Sequence, residues 1–327
     1  MSADALSRRA MVKMLAAVPT LAMTAGRPAA AGREFAALEQ AAPAAGPRKV
    51  GMVSRHLQWT PLEDAIAVAR EAGFDEIEWN VRKGGHVAPE RVEQELPKAV
   101  ELTRKAGLGV TMITTTIQDT KSPYAEAILR TASGLGIKYY RGGEYFRYDF
   151  KGDVVAQLDA LKPRIATLVE FNRRYGMTWA YHTHSAPGMI GGGVWDIWSV
   201  IKDLDPALIG LNYDTGHTFA RGGVGWNEAA HAAHRHIRCI AIKDVVWHKR
   251  PDGRWATEFV PLGEGMVDFK TEFAYLASVG FAGPVNIHYE HHGLLGTDLG
   301  TWKLKMPRSE FLGIVKKDLD ALRGFMA

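Results

Sequence analysis

Residues 153–184, DVVAQLDALKPRIATLVEFNRRYGMTWAYHTH, show the sequence pattern from which the fold can be predicted. The amphipathic stretch Asp153–Tyr175 predicts a helix, and the apolar run Thr178–Thr183 predicts a buried strand. Short apolar runs and longer helical patterns alternate in this way from Arg48 onward. This alternation predicts an α/β fold with a parallel sheet.

Eight strands are predicted along the chain: Val50–Ser54, Glu76–Asn80, Val110–Thr115, Lys138–Arg141, Thr178–Thr183, Leu208–Tyr213, Cys239–Lys243 and Val285–Tyr289. Further helices are predicted at Pro61–Ala72, Pro89–Ala106, Asn227–His236, Phe269–Ser278 and Glu310–Leu322. Eight β/α units in roughly 280 residues fit a single-domain (β/α)8 TIM barrel, which needs about 250. An open doubly wound sheet is the alternative, but no GxGxxG pattern follows the first strand.

Residues 1–31 are predicted to be a twin-arginine-type signal peptide. Arg8 and Arg9 precede an apolar run from Met14 to Ala25, and small residues suited to cleavage follow at 29–31. A disordered basic N-terminus is the alternative. We expect export by the twin-arginine route, to the periplasm or otherwise out of the cytoplasm, with residues 32–47 as a linker and 48–327 as the barrel. The apolar run is too short for a membrane span, and no later segment is suitable.

Composition narrows the function. The chain has 327 residues and one cysteine, Cys239, which excludes an internal disulfide and a cysteine-based metal site. The net charge is +4, of which +3 lies in residues 1–31. The nearly neutral remainder argues against a nucleic-acid partner, because such binding depends on phosphate neutralisation.

Histidines gather where the predicted strands end, which is where the active site of a TIM barrel lies. Seven of the 12 histidines fall there: His56, His86, His182, His184, His217, His288 and His291. His182, Asp214 and His288 are predicted to hold a divalent metal, because imidazole and carboxylate groups from neighbouring strands can share one ion. The alternative is a set of histidines that bind substrate without a metal.

These strand ends resemble those of the xylose isomerase-like TIM barrels, also called the sugar phosphate isomerase/epimerase family. The resemblance covers most of residues 48–325 and rests on five elements: Tyr181–His184 in strand 5, Tyr213–His217 (DxxH) in strand 6, Ile242–Asp244 (HxKD) in strand 7, the Pro261–Gly265 (GEG) loop, and Gly283–His288 in strand 8. It implies that Asp214 binds metal and that His217 faces the substrate.

The chain also departs from the family pattern. Ala241 replaces the usual strand-7 histidine, and His182 and His288 replace two glutamate ligands. With two negative charges fewer, the site suits Mn2+, Co2+, Fe2+ or Zn2+ better than Mg2+. These departures and the export signal suggest an exported branch that acts on oxidised glycosides such as 3-keto-glycosides.

The resulting hypothesis is a metal-dependent sugar or keto-sugar isomerase, epimerase or lyase that removes a proton next to a carbonyl. Glu290 or His217 is expected to be the base, with Glu290 alternatively a ligand, and Lys243 to stabilise the enolate or donate a proton. Substrate contacts are expected from His56, Arg82, His86, Arg141, His184 and Trp226. The alternatives are a non-catalytic exported sugar-binding barrel and an endonuclease IV-type nuclease.

Overall fold

A computed structural model describes residues 48–143, 145–291 and 303–327. The predicted signal peptide (1–31) and linker (32–47) lie outside these residues. In the part described, no helix is both long and apolar enough to cross a membrane.

Eight parallel strands close into a barrel, which confirms the predicted fold. The barrel strands are β1 (Val50–Val53), β2 (Glu76–Asn80), β3 (Met112–Thr114), β4 (Tyr139–Arg141), β5 (Thr178–His182), β6 (Ile209–Asp214), β7 (Ile237–Ile242) and β10 (Val285–Ile287), while β8 and β9 lie outside the barrel. The strands pair in the order β1-β10-β7-β6-β5-β4-β3-β2, so the chain runs once around the barrel.

Helices cover the outside of the barrel: α1 (Leu62–Ala72), α2 (Val92–Lys105), α3 (Ala125–Gly134), α4 (Val154–Tyr175), α5 (Trp195–Ile201), α6 (Thr215–Gly222), α7 (Trp226–Ala233), α8 (Phe269–Ser278) and α9 (Arg308–Met326). Helix α4 matches its predicted limits because both ends are capped. The Asp153 side chain accepts hydrogen bonds from the backbone N–H groups of Val155 and Ala156, and Gly176 ends the helix in the left-handed conformation.

One element was not predicted. Directly after β7, a two-stranded antiparallel hairpin is formed by β8 (Asp244–Lys249) and β9 (Trp255–Val260). Strand β8 begins with the buried Asp244 and Val245, and the rest of the hairpin is half-buried or exposed, so the hairpin lies partly in solvent.

The barrel interior is polar near its mouth and apolar below it. Along β2, Glu78 faces the interior, whereas Ile77 and Trp79 pack in the main core. Below the mouth, Met112, Ala180 and Cys239 form a small separate apolar cluster. This cluster forms an apolar layer beneath the polar groups at the carboxyl ends of the strands.

Candidate active site

The structure brings together the three predicted metal ligands. His182 ends β5, Asp214 ends β6 and His288 follows β10, and all three side chains are buried. Each offers one ligand atom, and these atoms lie within 4.8 Å of one another. The three side chains share the inner face because each lies two residues after a side chain that faces the barrel interior, namely Ala180, Asn212 and Asn286.

Asp214 has an oxygen suited to an ion. Its Oδ1 accepts a hydrogen bond from the backbone N–H of His217 at 2.9 Å and so caps helix α6. Its Oδ2 is buried and accepts no well-aligned hydrogen bond from the described residues, although Lys243 Nζ is 2.9 Å away. A buried carboxylate oxygen without such a bond is costly, and a cation removes that cost.

The two imidazoles also fit a metal. Burial and the charge of Arg141 hold the pKa of His182 well below its usual value, and burial lowers the pKa of His288. Both rings are therefore neutral at physiological pH, which is the form that binds metal. His182 Nδ1 lies 3.1 Å from the Asn212 side-chain amide, which leaves Nε2, 3.4 Å from Asp214 Oδ2, facing the site.

Glu78 on β2 holds His288 in place. Its Oε2 is 3.2 Å from His288 Nε2, and both groups are buried. Burial acts to raise the pKa of Glu78, but the hydrogen bonds from His288 and Thr114 outweigh it and lower the pKa. A charged carboxylate against one imidazole nitrogen fixes the ring and its tautomer, as carboxylates do behind metal-bound histidines.

A second group surrounds the ammonium of Lys243, which follows β7. Lys243 Nζ lies 2.6 Å from Glu290 Oε1, 2.8 Å from His217 Nε2 and 2.9 Å from Asp214 Oδ2. His217 Nδ1 lies 2.9 Å from Ser185 Oγ, and the ring of His184 is 3.7 Å from that of His217 between centroids. Of the three ammonium donors, two have hydrogen-bond acceptors in Glu290 and His217, and Asp214 lies at ion-pair distance.

Both charges of the Lys243–Glu290 pair persist despite burial. Burial acts to lower the pKa of Lys243, but Asp214 and Glu290 outweigh it and raise the pKa. Burial acts to raise the pKa of Glu290, but Lys243 and His217 hold it well below its usual value. The lysine is therefore an ammonium and Glu290 a carboxylate at neutral pH. The Glu290 side chain is 24% exposed, so the pair remains accessible from the mouth.

His184, His217 and Glu290 form a second set of donor atoms within 4.8 Å of one another. In this set, however, both His217 and Glu290 already accept hydrogen bonds from the Lys243 ammonium, whereas in the first set only Asp214 lies close to it. The group of His182, Asp214 and His288 is therefore the better candidate for a metal.

The other predicted substrate contacts lie in different places. Arg141 ends β4 inside the barrel, and Arg82 follows β2 with its Nε donating to the Thr115 carbonyl at 2.8 Å. His86 packs edge-on against Trp79, and His56 Nε2 accepts a hydrogen bond from the Tyr289 N–H. These two rings are not part of either donor group. Trp226 is 4% exposed and packs on Tyr213 and Phe219, so the structure does not bring it to the mouth.

Asp244 of the HxKD-like element has a structural role. Its carboxylate accepts backbone hydrogen bonds from Gly263 and Gly265, both at 2.9 Å, and from Val245 and Val267. A Cβ on Gly265 would lie 2.1 Å from Asp244 Oδ1. The aspartate and the GEG loop are therefore one unit that orders the chain after the hairpin, next to Lys243.

Sequence reasoning missed Glu78, Asn212 and Ser185. Glu78 is one of two glutamates two residues apart on β2, and this spacing already indicates a shared face. Asn212 likewise lies two residues before Asp214. Ser185 directly follows the His182–His184 pair, but a lone serine in a loop carries no signal of its own.

The fold and the site define a TIM-barrel protein with its ionisable groups at the carboxyl ends of the strands. The chain belongs to the xylose isomerase-like TIM barrel family, whose model matches residues 66–310. Over 136 residues it is 29% identical to the inosose dehydratase of Bacillus licheniformis. That match covers 38% of this chain and 43% of the relative, so the chain spans less than half of that curated protein.

Solved structures share the barrel at low sequence identity. The IOLI protein with a bound zinc atom superposes with a TM-score of 0.64 at 17% identity, over 85% of this chain and 99% of that one. The 3-keto-D-glucoside 4-epimerase YcjR from E. coli gives a TM-score of 0.60 at 15% identity, over 85% and 99%. At these identities the likeness establishes the fold.

Proposed function

We propose that this protein is a divalent-metal-dependent carbohydrate enzyme that moves a proton at the carbon next to a carbonyl. The observation that carries the proposal is the Lys243 ammonium, held between Glu290, His217 and Asp214 beside the buried group of His182, Asp214 and His288. An acid and a base in contact, next to a cation site, are the parts that enolisation requires.

His182, Asp214 and His288 are proposed to hold the ion. When bound, a divalent ion polarises a substrate carbonyl or hydroxyl oxygen and makes the neighbouring C–H more acidic. Two neutral imidazoles and one carboxylate favour Mn2+, Co2+, Fe2+ or Zn2+ over Mg2+. The zinc atom bound by the IOLI protein, which shares this fold, supports the proposal of a divalent metal.

Glu290 is proposed to take the proton and Lys243 to donate one to the substrate oxygen. Alone, the Glu290 carboxylate is a weak base, because the neighbouring Lys243 lowers its pKa. When Lys243 passes its proton to the developing enolate oxygen, that stabilising charge disappears and Glu290 becomes more basic. The two transfers therefore assist each other. His217 accepts a hydrogen bond from Lys243 and keeps the ammonium directed at the site.

The fate of the enolate sets the reaction class. Return of a proton gives isomerisation or epimerisation, and loss of a β-substituent gives elimination. The similarity to inosose dehydratase supports elimination, and the shared fold of the 3-keto-D-glucoside epimerase supports a keto-sugar substrate. We propose sugars and keto-sugars, 3-keto-glycosides among them, as substrates.

We also propose export by the twin-arginine route, based on Arg8 and Arg9 before the apolar run. Replacing both arginines with lysine in the full chain should retain the protein in the cytoplasm, as measured by cell fractionation. Unchanged export would contradict this proposal.

The function is tested by Asp214→Ala in the full-length protein, assayed on free sugars and 3-keto-glycosides with and without added Mn2+ or Zn2+. We expect tight metal in the wild type and loss of both metal and turnover in the variant. The control is Asp203→Ala, because the Asp203 side chain is 81% exposed. Full activity of Asp214→Ala would refute the assignment. A metal-free wild type without turnover would favour a non-catalytic sugar-binding protein.

A further inference from the structure

Three arginines meet on one side of the barrel mouth. Arg55 lies just after β1, Arg82 just after β2, and Arg141 at the end of β4. These strands are neighbours or near neighbours in the barrel, so their carboxyl ends border the same part of the mouth. Arg82 Nε donates to the carbonyl of Thr115, whose hydroxyl donates to the carbonyl of Arg141, so one residue links these two arginines. Arg55 follows β1, which pairs with β2.

These guanidinium groups are poorly partnered. Arg141 donates from Nη2 to the Tyr145 hydroxyl, but its Nε is buried without a hydrogen bond. Arg82 donates from Nε to Thr115, but its Nη2 is likewise buried and unpaired. Across residues 48–143, 145–291 and 303–327, none of the three arginines forms an ion pair with a carboxylate. A buried N–H of a charged group without an acceptor is costly, and a bound acceptor removes that cost.

Two carboxylates near the barrel mouth, Glu290 and Glu78, are paired with other residues. Glu290 is paired with Lys243 at 2.6 Å, and Glu78 is paired with His288 at 3.2 Å. Burial, and to a smaller extent the charge of Arg141, lowers the pKa of Arg82 to about 9. Arginine still keeps its proton at neutral pH, so this side of the mouth carries a surplus of positive charge.

We propose that Arg55, Arg82 and Arg141 bind an oxyanion on the substrate, so that the enzyme acts on an acidic carbohydrate. The shared chemistry is a carboxylate or a phosphate ester, whose oxygens match the forked donors of a guanidinium group. This inference rests on the proposed function, because it names the substrate class of the same site.

The position of the three arginines allows one sugar molecule to reach both the arginines and the proton-transfer group of Lys243 and Glu290. Arg141 donates to the Tyr145 hydroxyl, and the Tyr145 ring lies 6.1 Å from the His182 ring and 4.6 Å from the His184 ring between centroids. Arg55 follows β1, which pairs with β10, the strand that precedes Glu290. The arginine cluster therefore borders the proton-transfer group. An anionic substituent held by the arginines would orient the sugar and place a different carbon next to Glu290 and Lys243.

The test measures binding of D-glucuronate, D-glucose 6-phosphate and D-glucose by calorimetry at constant ionic strength. The full-length protein is kept metal-free with a chelator, so that the anions cannot bind through an ion. We expect at least one of the two anions to bind at least about tenfold more tightly than glucose, since one hydrogen bond to a charged group accounts for such a factor. Tighter glucuronate indicates a carboxylate, and tighter glucose 6-phosphate a phosphate ester.

Arg55→Met should remove most of this preference, and Arg55→Lys should retain part of it, because the charge stays and the fork is lost. Arg55 is chosen because it is only half-buried in a short 3-10 helix, so its replacement spares the barrel. The control is Arg254→Met on the exposed hairpin turn, where the side chain is 78% exposed.

Equal binding of glucose and both anions, or an anion preference that survives Arg55→Met, would overturn the inference. The two proposals fail separately. Anion preference in a protein whose turnover does not depend on Asp214 removes the proposed function and leaves the arginine subsite. Asp214-dependent turnover of neutral sugars without anion preference removes the arginine subsite and leaves the proposed function.

Discussion

Glu78→Gln tests how much the buried carboxylate behind His288 contributes to the metal centre. Glutamine keeps the shape of the side chain but replaces one carboxylate oxygen with an NH2 group. Glu78 Oε2 now lies 3.2 Å from His288 Nε2 and 2.9 Å from Asn286 Nδ2, and both of these nitrogens can donate. A glutamine side chain has only one oxygen that accepts hydrogen bonds, whereas the carboxylate has two. His288 therefore loses the charged acceptor that fixes its orientation.

The expected loss of metal affinity in Glu78→Gln follows from this arrangement. Removing a carboxylate that orients a metal-bound histidine costs about 10- to 100-fold in metal affinity, which is about 1.4–2.7 kcal/mol. The fully buried position of Glu78 favours the upper part of this range, because little water screens the lost charge. Competition with a chromogenic chelator measures the affinity for Zn2+ and Mn2+, and circular dichroism checks the fold.

The matched control is Glu76→Gln on the same strand. Glu76 also faces the interior, but its Oε2 accepts from the Thr111 hydroxyl at 2.5 Å, at the opposite end of the barrel from the site. We expect its metal affinity to equal that of the wild type. Equal affinity in Glu78→Gln and the wild type, or an equal loss in both variants, would refute the role of Glu78.

Three further predictions concern activity and stability. Lys243→Met should lower kcat by about 10²- to 10⁴-fold, the usual contribution of a general acid or base, with metal still bound; steady-state kinetics that show less than a tenfold loss would contradict it. Burial and Asp268 raise the pKa of Glu272 from 4.5 to about 7, so this carboxyl stabilises the fold below pH 4.5 and loses that effect as the pH rises through 7. The free energy of unfolding of Glu272→Gln, measured with urea, should therefore rise by about 3 kcal/mol relative to that of the wild type between pH 4 and pH 8. The same pH dependence of the unfolding free energy in both proteins would contradict this. Gly51→Ala should destabilise the barrel by about 1–3 kcal/mol in the same assay, because the new Cβ would lie 1.9 Å from Asn286 Oδ1; unchanged stability would show that Asn286 can move.

The barrel was predictable because strand and helix periods alternate strongly along the chain. The hairpin of β8 and β9 was not, because it begins at Asp244, two residues after β7 ends, with no separate apolar run between them. What orders this segment is the set of backbone hydrogen bonds to Asp244, and such long-range contacts leave no periodic signal.

The grouping of His182, Asp214 and His288 was predictable because His182 and Asp214 end their strands and His288 lies one residue past β10, where the alternation of side chains still holds. The alternation does not hold several residues past the end of a strand. His56 and His86 lie in such segments, and the structure turns them toward Tyr289 and Trp79 instead of toward the donor groups. The partner of each histidine, such as Glu78 for His288, depends on contacts across the barrel that sequence spacing alone does not give.

The pH below which protons displace the metal is also expected to be lower than for histidines with an ordinary pKa. From the sequence, two imidazole ligands predict loss of metal through the usual histidine range. In the structure, burial lowers the pKa of both His182 and His288. Protons therefore compete for these nitrogens only at a lower pH, and metal binding should persist below the usual histidine range.

The proposed function depends on a divalent metal held by His182, Asp214 and His288. Anomalous diffraction from crystals of the full-length protein grown with Zn2+ or Mn2+ locates such an ion. We predict an anomalous peak bonded to all three side chains at about 2.0–2.2 Å. A peak at His184, His217 and Glu290 instead, or no peak at either group, would contradict this metal site.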